Sequence, residues 1–397
     1  MEDAVKVADG IELHVSYISK TEKETFAYEG VTYHPVFRSK WALLADRLSC
    51  GHAGYRGYLP RMKAILQEVK PDVIHIHGTE ECFGMLAPYA GKIPVVYSLQ
   101  GLLNPYVIKF FSGLTRRQIR RYEPWSQTLT LQGVDAMFSK FTHSAKREAL
   151  YLSQAQYVMG RTRWDCEVAR LFNPDVRYYV VNELLRPEFR EVQWRGAAPG
   201  PAFHIVSTVS GGYYKGYETL LRAASLLNNV RFSFEWTVIG LAPGDSLVRI
   251  CESVTGLKSQ AMSINLAGRK NAAEMSQILA SSDLFCLVSH IENSPNSLCE
   301  AMMVGMPIIA TDTGGTSSIL TPDAEGCLLQ DGDPYALAGK IIWMHDHFDD
   351  AKQMADKARD RAMKRHDPAT VVSELLSAYR SISMHRSCGN QNLSDVL

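Results

Sequence analysis

The chain has 397 residues, too many for one ordinary core and suited to two domains of roughly 150 to 200 residues each. Hydrophobic residues make up 46% and charged ones 21%, which excludes a disordered or fibrous polymer. Lys plus Arg equals Asp plus Glu at 42 each, so no net field draws the protein to nucleic acid.

Apolar, β-branched runs at 11–18, 73–77, 94–99, 136–138, 156–159 and 178–181 read as strands, separated by helical stretches such as 59–69. Strands alternating with helices predict a parallel sheet covered on both faces. The stretch 186–202 is rich in Pro, Gly and Arg, has no sustained period and reads as a linker. The alternation then restarts: strand 204–209, helix 217–227, strand 233–239, helix 247–254, strand 264–267, helix 272–280, strand 284–288, a helix after Ser297 and strand 307–311. Periodic apolar segments at 337–344 and 369–382 are expected to close this second domain as helices. The expected organisation is α/β, with two doubly wound Rossmann-like domains over 1–186 and 203–366. They are joined by a linker at 187–202 and followed by a helix at 367–384 and a flexible tail at 385–397. Ligands in such folds sit beyond the carboxyl ends of the strands, so motifs in strand-to-helix turns carry the most weight.

Eight cysteines show no C-x-x-C pair and no disulfide-framework spacing, as expected for reduced thiols in a cytoplasm. No apolar run reaches 18 residues and no basic-then-apolar leader is present, so neither a membrane span nor export is expected.

Residues 289–315 read S-H-I-E-N-S-P-N-S-L-C-E-A-M-M-V-G-M-P-I-I-A-T-D-T-G-G and follow the apolar strand. A strand, a polar turn with Pro295 and a helix opening near Ser297 leave backbone N–H groups free to meet an anion. Glu292 in the turn and Glu300 on the helix can face one cleft and accept hydrogen bonds from sugar or ribose hydroxyls, which needs no metal. Ser297-Leu-Cys-Glu300 also matches S-x-x-E, a capping box in which Glu300 only bonds the backbone of Ser297. Upstream, strand 204–209 enters Ser210-Gly211-Gly212-Tyr-Tyr-Lys215-Gly216. Such a turn suits a leaving diphosphate whose growing charge Lys215 neutralises, though a surface lysine in a glycine turn is also common structure.

Glu292 and Glu300, separated by seven residues, together with Ala301, Gly305, Pro307 and Gly314-Gly315, resemble the signature of glycosyltransferase family 4, retaining enzymes with the GT-B fold. The resemblance implies that Glu300 holds the ribose and that Glu292 sits by the donor sugar. The backbone of Ser294, Pro295, Asn296, Ser297 and Leu298 would touch sugar and diphosphate. It further implies retaining transfer of a hexose or N-acetylhexosamine from a UDP- or GDP-sugar to a hydroxyl of a glycan or lipid-linked glycan. The expected setting is cell-surface polysaccharide biosynthesis, with the nucleotide sugar as co-substrate, no other cofactor and no metal. Family members carry an Arg five residues before the Lys; here that place holds Ser210, and Arg269, after Gly268, is the candidate replacement.

In the first domain, strand 73–77 ends in His77-Gly78-Thr79, with His75 and His77 on one side of the strand. No carboxylate or cysteine cluster is tied to the two histidines by spacing, so His77, Gly78 and Thr79 are placed at the cleft mouth rather than on a metal. Strand 94–99 enters Gln100-Gly101; many family members have His at the place of Gln100, and an amide there cannot act as a base. The segment 106–125 combines five basic residues with aromatics and suits a membrane surface, at the inner face of the plasma membrane, a lipid-linked acceptor, or a solvated helix face. Gly160 to Asp165 and Asn182-Glu183 continue the resemblance with weaker signals. The first strand found resembles the family's second, so the first domain is expected to lack an interior strand.

Three other readings compete. A sugar-nucleotide epimerase could use the same two domains around the same cleft, and Ser210 with the late first strand would suit an inactive partner subunit. An NAD dehydrogenase is the weakest, because no G-x-G-x-x-G joins a strand to a helix in the first domain.

Overall fold

The computed structural model describes residues 10–49, 57–130, 132–196 and 200–388. The first domain carries β1 (Leu13–Ser19), β2 (Phe26–Tyr28) and β3 (Val31–Phe37) in one sheet, ordered β1-β3-β2, with β1 parallel and β2 antiparallel to β3. The β2–β3 hairpin, absent from the sequence expectations, turns at Glu29-Gly30, both in the left-handed region that tight hairpin turns require. A second sheet, β4 (Ile74–His77), β5 (Val95–Ser98), β6 (Tyr157–Gly160) and β7 (Arg177–Val180), is parallel throughout in that order. Both β1 and β4 end their sheets among the described residues.

The second domain holds one six-stranded parallel sheet: β8 (Phe203–Thr208), β9 (Phe234–Ile239), β10 (Ile264–Gly268), β11 (Leu284–Leu287), β12 (Ile308–Thr311) and β13 (Cys327–Leu329). Its spatial order is β10-β9-β8-β11-β12-β13. The chain lays down β8, β9 and β10 in one direction and β11, β12 and β13 in the other. The order therefore reverses between β8 and β11, and a crevice opens there at the carboxyl ends. Helix Tyr217–Asn229 buries Tyr217, Leu220, Leu221, Ala224 and Leu227 on this sheet, one apolar face at helical spacing. Doubly wound α/β domains are thus what the alternation predicted.

Three expectations change. Residues 136–138 are not a strand but lie in helix Val134–Gln154, where Val134, Phe138, Phe141, Ala145, Glu148 and Leu152 form one inward face. A three-residue apolar run cannot reveal that longer period. The linker, expected to have no periodic structure, carries some where it is described: helix Glu188–Glu191 buries Phe189, and Trp194 donates its Nε1–H to Ser282 O at 2.7 Å and its backbone N–H to Val304 O. Helix Pro368–Cys388 does not close the second domain. Its Leu375, Ala378 and Ile382 pack on Val96, Tyr157 and Met159 of the first domain's sheet, so the chain crosses back after helix Phe348–Arg365. Of the expected tail, 385–388 continue this helix and 389–397 lie outside the described residues.

Candidate active site

The turn after β8 and the turn after β11 flank the point where strand order reverses, and each delivers one charged side chain to it. Lys215 Nζ donates to Glu292 Oε1 at 2.6 Å. Burial alone would lower the lysine's pKa, but the Glu292 carboxylate outweighs it and the net shift is upward, so Lys215 is a cation at neutral pH. The backbone holds the two turns together: His290 N–H donates to Tyr214 O at 2.8 Å. Gly216, at φ +75°, lies so close to β11 that a Cβ there would stand 1.9 Å from Val288 O, which accounts for glycine directly after the lysine. At the far end of the motif, Cβ atoms on Gly314 and Gly315 would come within 2.0 Å of Glu292 O and 2.2 Å of Asn293 O. The paired glycines therefore form the floor under Glu292.

Helix Asn296–Val304 begins at Pro295, which offers no side-chain cap. The N–H groups of Leu298 and Cys299 bond to Pro295 O, so the outermost amides, those of Asn296 and Ser297, are the ones that stay open to an anion. The capping box does not form. Glu300 is buried, and Arg186 donates to its Oε1 through Nε at 3.0 Å and Nη2 at 2.8 Å. Gly305 then ends the helix at φ +81°, and Pro307 leads into β12. Of the remaining residues expected on this side, Gly211 is exposed and Gly212 half-buried in the β8 turn. Gly268 and the exposed Arg269 lie at the end of β10, two strands from Lys215.

On the first domain, Gln100 Oε1 accepts from Arg161 Nη2 at 2.9 Å, and Gly101 N–H donates to Glu80 Oε1 at 3.1 Å. Asn293 crosses the cleft, accepting from Thr162 Oγ1 at 2.9 Å and donating to Gln100 O. Thr79 is not free for a ligand: it is buried, and its hydroxyl donates to Glu148 Oε2 at 2.6 Å. Glu148, fully buried, also accepts the N–H groups of Leu103 and Asn104 and so anchors the next helix. His77 is exposed and stacks on His75, whose Nδ1 bonds Tyr379 of the returning helix at 2.6 Å.

The two chain crossings meet at Glu183 and His366. Glu183 Oε1 accepts from Ser294 Oγ at 2.7 Å, its Oε2 lies 3.4 Å from Arg161 Nε, and its backbone carbonyl bonds His366 Nδ1. With Cys299 these residues bring ligand atoms within 4.8 Å of one another, a spacing a metal could use. Burial opposes ionisation of Glu183, but Arg161, His366, Ser294 and Arg365 together hold its pKa below the ordinary value. Its charge is thus already compensated, and the cluster ties the Ser294 turn to the two crossings.

Sequence reasoning missed a second buried network. His290 lies between Glu218 and Asp331, with Nε2 2.7 Å from Glu218 Oε1 and Nδ1 3.1 Å from Asp331 Oδ2. Asp331 in turn accepts from Lys109 of the first domain at 3.0 Å. His290 and Glu218 stood inside segments already singled out, but only the fold pairs them. A cavity of about 520 Å³ lined by His204, Asn265, Lys270 and Ser281 includes none of these groups.

The sequence profile described as "Glycosyl transferases group 1" matches residues 190–361, and that described as "Glycosyl transferase 4-like" matches 3–123. Among curated proteins, the chain is 24% identical over 193 residues to the putative colanic acid biosynthesis glycosyltransferase WcaL of Salmonella typhimurium, over 47% of each chain. The chain spans about half the length of the first curated relatives it matches. Among solved structures it is similar to sucrose-phosphate synthase from Thermosynechococcus elongatus, with a TM-score of 0.70 at 14% identity over 96% of this chain and 92% of that one. It is also similar to Anabaena HepE solved with UDP-glucose, with a TM-score of 0.61 at 16% identity over 88% of this chain and 87% of that one. At such identities the likeness is one of fold, the two-domain GT-B arrangement. The two profiles together match about three quarters of the chain, and they identify its two halves as the domains of a group 1, family 4-like glycosyl transferase.

Proposed function

We propose that the chain transfers a sugar, with retention of configuration, from a nucleotide diphosphate sugar to a hydroxyl of a glycan or glycolipid in polysaccharide biosynthesis. The observation that carries this reading is the Lys215–Glu292 pair at the reversal of strand order, beside a helix start with open amides. Lys215 and the amides of Asn296 and Ser297 stabilise the charge that grows on the diphosphate. Glu292 accepts from a donor-sugar hydroxyl. Glu300, with Arg186 on Oε1 only, offers Oε2 to the ribose. As the acceptor oxygen bonds to the anomeric carbon and the bond to the diphosphate breaks, a diphosphate oxygen takes the acceptor proton. The relative named for colanic acid biosynthesis and the HepE complex with UDP-glucose support the substrate class.

A thermal-shift panel of UDP-, GDP- and ADP-sugars tests the donor site, with one class expected to raise Tm. No shift with any class, or conversion of a donor to its epimer without acceptor, overturns the reading. Because the lysine and the amides supply the positive charge, excess EDTA is expected to change the transfer rate by less than about twofold. A loss restored by Mg²⁺ would assign part of that work to a metal.

No helix among the described residues is long and apolar enough to cross a membrane. We propose instead peripheral contact, at the inner face of the plasma membrane, through helix Arg116–Tyr122 and the short helix Trp125–Leu129 that follows it. Arg116 and Arg120 are taken up by Asp135, whereas Arg117, Arg121, Trp125 and Leu129 are exposed. Exposed cations beside an aromatic and an aliphatic side chain suit an anionic lipid surface. Binding to phosphatidylglycerol vesicles at low salt, lost at high salt and in the Arg117→Glu/Arg121→Glu variant, is the expected result. Equal binding to neutral vesicles contradicts it.

A further inference from the structure

The donor chemistry proposed above lies on the second domain, so the acceptor must be held from the first, where the turns after β4 and β5 face the Lys215–Glu292 pair. The turn after β4 is built around one carboxylate. Glu80 curls back so that Oε1 takes the Gly101 N–H at 3.1 Å and Oε2 lies over Gly78. A Cβ on Gly78 would stand 2.1 Å from that oxygen, and Gly78 has φ +80°, so the turn needs glycine for conformation and for space. Among the described residues no side chain bonds the Glu80 carboxylate.

The nearby cations are engaged elsewhere. Arg147 Nη2 donates to Ser144 Oγ at 2.8 Å and to the Glu80 backbone carbonyl at 3.4 Å, and Arg161 serves Gln100 and Glu183. Lys215 faces Glu292. Tyr106 from the first domain and Tyr214 from the second meet edge to face with ring centroids 5.2 Å apart, and both phenols feel the charge of Glu80 as well as of Glu292. The two tyrosines therefore stand in the field of both carboxylates. Burial raises the pKa of Glu80, and the charge of Glu148 adds to the rise. Backbone N–H groups, Gly101 among them, pull the other way without cancelling it.

We propose that Glu80 is the acceptor-binding carboxylate of this cleft. It accepts a hydrogen bond from an acceptor hydroxyl and selects neutral, hydroxyl-bearing acceptors over anionic ones. The inference rests on the transferase reading for its meaning, but it can fail separately, because it concerns binding on the first domain. The physical reason is like-charge repulsion: an anionic acceptor would enter beside two carboxylates, and among the described residues no unengaged cation faces it on that side.

The test is titration of methyl glucoside and methyl glucuronide, which differ only at C6, hydroxymethyl in one and carboxylate in the other, into the full chain without nucleotide. Wild type is expected to bind the glucoside about 10-fold more tightly or better, and Glu80→Gln to narrow the preference to about twofold, because it removes the charge and keeps the shape. Glu80→Asp, which keeps the charge, retains the preference, and an unchanged Tm in each variant separates this effect from misfolding. A preference absent from wild type, including no binding of either glycoside, or one that survives in Glu80→Gln, overturns the assignment. A nucleotide-sugar panel without any Tm shift, alongside an intact glycoside preference, overturns the transferase reading and leaves Glu80 in place.

Discussion

Lys215→Ala is expected to lower turnover at saturating donor by about 100- to 1000-fold, and Glu292→Gln by a similar factor, the usual cost of losing one preorganised electrostatic group at a transition state. The expectation follows from position and charge state. Lys215 is only 21% exposed and Glu292 7%, so their field acts across little water. The same burial complicates the test, since removing one partner strands the other as a buried charge and destabilises the fold. The Lys215→Met/Glu292→Gln variant resolves this. It removes both charges at once, so its Tm should return toward wild type while its turnover stays as low as that of the worse single variant. Stability recovered without activity would mark the pair as chemical. Wild-type rates in either single variant would remove both residues from the site.

What the sequence made legible followed from local necessity. Lys215-Gly216, Gly305-x-Pro307 and Gly314-Gly315 could be read because Gly216, Gly305 and Gly314 take positive φ at strand–turn–helix junctions, a local demand, whereas the carbonyls that leave no room for a Cβ at Gly216, Gly314 and Gly315 belong to the neighbouring turn after β11. The Glu300 alternative could not be resolved in that way. A capping box needs only the four residues in view, whereas the actual partner, Arg186, lies 114 positions away. The bond from Ser294 to Glu183 and the bond from Thr162 to Asn293, 131 positions apart, were hidden for the same reason. The returning helix Pro368–Cys388 was visible as an amphipathic stripe. A stripe tells that a helix is covered, not by which sheet, and only the second crossing of the chain brings it to Val96 and Met159. Helix Val134–Gln154 shows the opposite limit, where a short window over Ala136, Met137 and Phe138 concealed a period visible only over the full 21 residues.

The largest expected loss of stability belongs to a residue that the motif contains without explaining. His290→Leu is expected to cost about 3 kcal/mol or more, because it leaves Glu218, whose side chain is wholly buried, without its counter-charge. The cost should depend on pH in a defined direction. Burial opposes protonation of His290, but its bonds to Glu218 and Asp331 and their charges raise its pKa above 6.5 in the folded protein. A group with a raised folded pKa contributes fully below its unfolded value, about 6.5 for imidazole, and the contribution fades as pH rises through the folded value. The groups facing the ring are Glu218 from helix Tyr217–Asn229, Asp331 from the loop after β13 and, through Asp331, Lys109 from the first domain. Denaturant unfolding of wild type and His290→Leu should therefore differ more at about pH 6 than at about pH 8.5. A gap that is constant, or that widens with pH, would mean that His290 is neutral in the fold and acts only as a hydrogen-bonding spacer. The consequence reaches the cleft, because the His290 backbone joins the Tyr214 turn to Thr313 and the same ring anchors Asp331 for the cross-domain bond to Lys109. Protonation of one buried imidazole would then help set how firmly the two domains hold the cleft closed over the Lys215–Glu292 pair.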